Sequence, residues 1–172
     1  MSGPFPIDSY LPLRSTDYFY FLHEQIEQAQ HRIWSSMFTI NVNLRDDGSQ
    51  AVRRILKLLS AAHHRSVDTR LLLGASEEDL SELTLANRIA ASFLRSFDLP
   101  VRSFSTTGQT TSHSKYVIFD ERLVILGSHN WSPRSFTRGI DDSLALFSRP
   151  MAASLGQQFL NAWGTSKSIQ IF

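Results

Sequence analysis

The run from His113 to Asn130 constrains the fold of this chain more tightly than any other stretch. It reads His113-x-Lys115, four residues, Asp120, six residues, Gly127-Ser128-x-Asn130, with apolar residues filling both gaps. Such runs on either side of Asp120-Glu121-Arg122 predict two strands joined by a turn. Alternate side chains of a strand share a face, so His113 and Lys115 project together, as do Ser128 and Asn130. Adjacent strand ends then bring an imidazole, an ammonium, a hydroxyl and an amide into one small volume. That set suits a phosphate, whose oxygens need donors and whose phosphorus needs a nucleophile. Gly127 lets the backbone approach closely, and Asp120, at the start of the turn, is expected to bond nearby backbone amides as structural support.

The rest of the chain supplies alternating helices and strands. From Ser15 to about Ile33 the residues Phe19, Leu22, Ile26, Ala29 and Ile33 recur at helical spacing, with Ser15 or Thr16 placed as a cap. Trp34 to Val42 reads as a core strand, Asn43 to Gly48 as a turn-bearing loop, and Val52, Ile55, Leu56 and Leu59 as the stripe of a second helix. Arg53, Arg54 and Lys57 fall largely off that stripe, either as a solvated face or as a contact for a polyanion. A strand over Thr69 to Leu73 precedes a helix marked by Ala86, Ile89, Ala90, Phe93, Leu94 and Phe97 and ending before Pro100. Val101 to Phe104 and Ser143 to Phe147 read as strands, and Ser105 to Ser112 as a polar loop. Ser148-Arg149-Pro150 opens a terminal helix burying Ala152, Leu155, Phe159 and Trp163. The alternation predicts one domain over residues 1–172, an α/β/α sandwich around a mixed central sheet.

The spaced residues carry a resemblance as well as a chemistry. His-x-Lys, Asp and Gly-Ser-x-Asn at these offsets resemble the HKD signature of the phospholipase D superfamily, and the order of elements is similar to that superfamily's fold. The residue-level likeness lies within about Ser112 to Ser143, and the chain is similar to the compact bacterial endonucleases that carry one HKD copy. The resemblance implies that His113 attacks phosphorus to form a phosphohistidine, and that a second histidine protonates the leaving oxygen. It implies that Lys115 and Asn130 stabilise the non-bridging oxygens, with Ser128 a weaker contributor, and that no metal or other cofactor takes part. It also implies an acidic residue orienting the histidine; a gap-free match puts Asp141 there, with Asp142 beside it, where family members often have glutamate. Because this chain holds one motif, the second histidine is expected from another copy, in a homodimer with a composite site on its twofold axis.

Other residues near the motif have two readings each. Trp131 either packs in the core or stacks on a base or sugar. Arg134 and Arg138, following the Ser132-Pro133 helix start, either bind flanking phosphates or are solvated. Thr106, Thr107, Gln109, Thr110, Thr111 and Ser112 are neutral donors that could line a groove. His129 has the opposite parity from Ser128 and Asn130 and is expected to be packed or at the edge of the site. His23, His31, His63 and His64 show no ligand-like spacing and read as surface or helix-end residues.

Composition narrows the partners without naming one. A net charge of +1 announces no nucleic-acid binder, yet only three of the 17 basic residues are lysine, and arginine's planar fork suits phosphate. No apolar run approaches the roughly 20 residues of a membrane span, and the start of the chain lacks a secretory pattern. A cytoplasmic location without membrane attachment is therefore expected. With no cysteine there is no disulfide framework. A groove across a dimer axis suits a polymer better than a lipid headgroup, and lipid-acting relatives usually carry two HKD copies in longer chains. The expected activity is thus a metal-independent nuclease, with DNA favoured over RNA as partner. An RNA endonuclease, a phospholipase or phosphatidyl transferase, and a catalytically silent nucleic-acid-binding module are the alternatives. An unsecreted nuclease would threaten its own genome, so restraint by substrate preference, by a regulatory partner or by a defence-system partner is expected.

Overall fold

Alternation along the strands divides their apolar side chains between two faces, and helices cover both. The computed structural model describes residues 3–14, 16–42, 49–74, 82–104 and 112–169. Along them run β1 (Ser9–Arg14), α1 (Thr16–Gln28), β2 (Arg32–Met37), α2 (Ser49–His64), β3 (Asp68–Leu73), α3 (Glu82–Arg95) and β4 (Val101–Ser103). Next come β5 (Lys115–Phe119), β6 (Leu123–Gly127), α4 (Pro133–Thr137), β7 (Asp142–Phe147) and α5 (Arg149–Thr165). The strands form one sheet in the order β1-β7-β6-β5-β2-β3-β4, with β2, β3 and β4 parallel and the other pairs antiparallel.

On one face Ile33, Met37, Leu71, Val117 and Ile125 meet Leu22, Ile26, Ile55, Leu56, Leu59 and Leu94 of α1, α2 and α3. On the other, Trp34, Leu72, Ile118 and Val124 meet Ala152 and Phe159 of α5. The arrangement is the expected α/β/α sandwich with a mixed sheet.

Several boundaries differ from the sequence reading for identifiable reasons. β1 was not expected, because it buries only Leu13 and contains Pro12. An edge strand tolerates both features. The first helix stops at Gln28 although apolar spacing continues to Ile33. There the Asp120 carboxylate accepts hydrogen bonds from the amides of Gln30, His31 and Arg32, turning the chain into β2. β2 stops at Met37 rather than running to Val42. Buried Asn87 donates to the carbonyl of Phe38 and accepts from the amide of Ile40, and so leads this segment off the sheet. The proposed cap Ser15, the loop Asn43 to Gly48 and the loop residues 105–111 lie outside the described residues.

Candidate active site

Antiparallel pairing brings the two ends of the spaced motif back to one end of the sheet. Tyr116 pairs with Leu126, Lys115 with Met37, and Gly127 with Ser143. The start of β5, the end of β6 and the end of β2 therefore meet where β7 begins. His113 lies two residues before Lys115, and Ser128 and Asn130 lie just beyond Gly127.

His113 is exposed, and its ring packs on Phe38, with centroids 4.0 Å apart. The Lys115 Nζ lies 3.0 Å from His113 Nδ1, 2.9 Å from the His113 carbonyl oxygen, and 4.9 Å from the centre of the Phe38 ring. Phe38 is thus a common wall for the candidate nucleophile and its neighbouring cation, a role absent from the sequence reading. Sequence signals gave it only as an apolar strand residue. Beneath this pair Gly74 admits the backbone that leads into the motif: a Cβ there would stand 2.4 Å from the Ser112 carbonyl oxygen.

The other half of the set is built by β6 and β7. The Ser128 hydroxyl donates to Asp141 Oδ1 at 3.0 Å and accepts from the Asp142 amide at 3.0 Å. Asp142 itself pairs with Arg14 on the exposed edge. Of the two expected carboxylates, Asp141 is therefore the one turned toward the motif. No hydrogen bond joins it to His113 among the described residues: Lys115 faces His113 Nδ1, and Asp141 Oδ1 accepts from Ser128. Asn130 is half-buried, and its Oδ1 is buried without a hydrogen-bond partner among the described residues.

Behind the site lies a packed aromatic layer. His129 is buried, stacks on Tyr18 at 4.2 Å and shares a 2.8 Å hydrogen bond with Ser143 Oγ through Nδ1. Trp131 is fully buried and donates to the Tyr18 hydroxyl at 3.1 Å. Stacking of Trp131 on a base or sugar is therefore corrected: both ring faces belong to the core. Arg134 and Arg138 are exposed on and just after α4, whose Ser132 cap accepts from the Ser135 amide. Asp120 sits at the far end of β5, bonded to backbone amides, outside the cluster. Thr111 lies outside the described residues.

Electrostatics follow from this packing. Burial lowers the Lys115 pKa, and the Asp141 carboxylate partly opposes that. Burial likewise lowers the pKa of His129 against the pull of Asp141 and Asp142, and raises that of Tyr18. The cation at this site is thus a partly desolvated lysine whose counter-ion, Asp141, is itself anchored by Ser128. Among the described residues no three His, Asp or Glu side chains converge as a metal-ligand set.

A mixed sheet between helices, with a His-x-Lys strand start facing a Gly-Ser-x-Asn strand end, defines a phosphodiesterase of the phospholipase D type. The family model described as cardiolipin synthase, PLD-like domain, matches residues 22–163, and the chain belongs to that family. Among solved structures, the phospholipase D family member Nuc from Salmonella typhimurium superposes with a TM-score of 0.74 at 18% identity, over 92% of this chain and 96% of Nuc. NucT from Helicobacter pylori gives 0.71 at 14% identity, over 93% and 97%. The phosphatidylserine synthase of Haemophilus influenzae Rd KW20 gives 0.66 at 16% identity, over 92% of this chain and 39% of that one. No curated protein matches the sequence. Among the described residues, no helix is long and apolar enough to cross a membrane.

Proposed function

We infer that this protein is a metal-independent nuclease cleaving DNA through a phosphohistidine, in an active site completed by a second copy of the chain. The observation that carries this reading is the placement of His113, Lys115 and Asn130, whose Oδ1 has no partner among the described residues, at one end of the sheet, with a single motif in this sequence. The fold match to Nuc and NucT, which this chain covers almost from end to end, is compatible with this reading. Exposed apolar residues beside the site support the second copy: Ile140 is fully exposed immediately before Asp141, and Leu144 is exposed two residues beyond Asp142 on β7.

The chemistry follows from the ring contact. An ammonium can only donate, so while Lys115 holds Nδ1, a neutral His113 carries its proton on Nε2. A bound phosphodiester offers Lys115 better acceptors in its non-bridging oxygens. Nδ1 is then released, solvent takes the proton from Nε2 and returns one to Nδ1, Nδ1–H donates to a carboxylate, for which Asp141 is the candidate, and Nε2 is left with the lone pair that attacks phosphorus. The P–N bond forms as the P–O bond breaks, and His113 of the partner subunit gives its proton to the leaving oxygen. Water then gives a proton to that same ring, its oxygen attacks phosphorus, and the P–N bond breaks. Lys115 and Asn130 hold the charge on the non-bridging oxygens in both steps.

The test is incubation of wild type and His113→Ala with single-stranded DNA, double-stranded DNA and RNA in excess EDTA, with acid-quenched samples analysed for phosphohistidine. Cleavage by wild type alone, with DNA cut faster than RNA, is expected. Headgroup release from lipid vesicles without nucleic-acid cleavage would replace the nuclease reading with a phospholipase.

A further inference from the structure

Outside the catalytic cluster, the described part of the molecule presents a groove of about 650 Å³ between α1 and α2. Its walls among the described residues are Phe19 of α1 and Gln50, Ala51, Arg53, Arg54, Lys57 and Leu58 of α2, three of them cations and none a carboxylate. Arg14, Arg32 and Arg70 pair with Asp142, Glu121 and Asp68, whereas no ion pair ties Arg53, Arg54 or Lys57 to a carboxylate among the described residues. Arg54 is steadied through a histidine instead: its Nε donates to His23 Nε2 at 3.0 Å, and His23 Nδ1 in turn lies 3.4 Å from Glu27 Oε2. This arrangement is unfavourable for the helix alone. Lys57 stands four residues from Arg53 and three from Arg54, spacings at which like charges repel. Arg53 and Arg54 lie in the half of α2 nearer its amino terminus and Lys57 just past its middle, so the three cations share one stretch of the helix.

The groove is placed where a polymer leaving the active site would meet it. α1 starts directly after β1 ends beside Asp142, and α2 follows β2, whose last residue pairs with Lys115. The first turns of both helices therefore share the catalytic end of the sheet. α4 continues from the motif and packs against both helices, with Phe136 5.5 Å from Phe19, and carries the exposed Arg134. We propose that the α1–α2 groove binds the sugar–phosphate backbone of a polynucleotide held in the active site, Arg53, Arg54 and Lys57 contacting successive phosphates and Phe19, Ala51 and Leu58 meeting the sugars. This deepens the nuclease reading and rests on it for the identity of the polymer.

The test separates binding from chemistry. His113→Ala protein is titrated with a fluorescent 30-nucleotide single strand over a range of salt, alone and with R53E/K57E, with the milder R53Q/K57Q, and with R149E on the opposite layer as a control. The groove variants are expected to weaken binding by roughly tenfold or more near physiological salt and to reduce the salt slope by about 1.4, as loss of two phosphate contacts on a single strand requires. R149E should change neither. An unchanged slope in folded R53Q/K57Q, or an equal loss in R149E, overturns the groove. Loss of binding to phosphatidylglycerol vesicles with oligonucleotide binding intact also overturns it, in favour of a lipid surface. Turnover of bis(p-nitrophenyl) phosphate by R53E/K57E with His113 intact reports the chemistry alone. If wild type does not cleave that diester but the groove variants still lose the oligonucleotide, the groove stands and the catalytic reading fails.

Discussion

Gly127 faces Ser143 across β6 and β7 so closely that a Cβ on it would lie 2.4 Å from the Ser143 Cα and 2.3 Å from its Oγ. The same hydroxyl is bonded to His129, so it has no free space to retreat into. Gly127 thus sets the distance between the strand that presents Ser128 and Asn130 and the strand that begins beside Asp141. Gly127→Ala is expected to cost about 1–3 kcal/mol, the range for overpacking a tight site. It should also lower kcat in the fraction that stays folded, because Ser128 and Asn130 move with the strand end. Urea unfolding and kcat measured on the same preparation check both.

Asp120 belongs to the signature yet serves the fold. Its carboxylate takes three amides, and its own φ of 45° lies in the left-handed region. Asp120→Ala loses the bonds and adds backbone strain, and is expected to destabilise by about 1.5–3 kcal/mol, the range for hydrogen bonds to a charged group. Asp120→Gly loses the bonds without the strain and should fall less far. Both should keep the kcat of wild type per folded molecule; a tenfold loss of kcat in folded Asp120→Gly would give the residue a direct part in the reaction.

The spaced motif was the most legible part of this chain, because six residues at fixed offsets report a strand, a turn and a strand at once. Helix ends were less legible. α2 and α3 end on Ser66 and Asp98, both with positive φ, in place of the glycine that usually marks such a stop. Phe38 and Asn87 were not legible as site residues, since their roles depend on contacts across 75 and 49 positions of sequence. No local pattern carries that information. Asp141 was found by counting, but its partner was not: only the fold shows that Ser128 takes its carboxylate and Lys115 takes His113.

Phe38 is expected to tune the site without entering the chemistry. Phe38→Ala removes the wall shared by His113 and Lys115 and should lower kcat by roughly ten- to a hundredfold, the scale on which small misplacement of a catalytic group acts. Phe38→Leu should recover part of it. Steady-state kinetics of the two variants, beside a phosphohistidine trap, distinguish slower formation of the intermediate from slower release.

His129 makes the fold acid-sensitive. Burial lowers its pKa, so the folded protein holds the ring neutral while the unfolded chain titrates near the ordinary value of about 6.5. Its contribution to stability is therefore complete above about pH 6.5 and is lost as pH falls toward the depressed folded value. In His129→Phe, which can keep the stack on Tyr18, the decline of the urea midpoint between pH 7 and pH 5 should be shallower than in wild type. Parallel declines would assign the acid sensitivity to other groups.

Lys115 should set the alkaline limit of activity. Burial lowers its pKa and the Asp141 carboxylate raises it, so charge is lost at a lower pH than the usual 10.4 or so, and lower still once Asp141 is gone. The alkaline limb of kcat should consequently lie below pH 10.4 in wild type and move further toward neutrality in Asp141→Asn. Lys115→Arg cannot deprotonate in this range, so its profile should lose that limb while its maximum falls, the guanidinium being a poor fit for the single point where Nζ stands. A pH–rate series from 6 to 10.5 on the three proteins decides it: an alkaline limb that persists unchanged in Lys115→Arg, or that moves upward in Asp141→Asn, would show that a group other than Lys115 carries the charge the reaction needs.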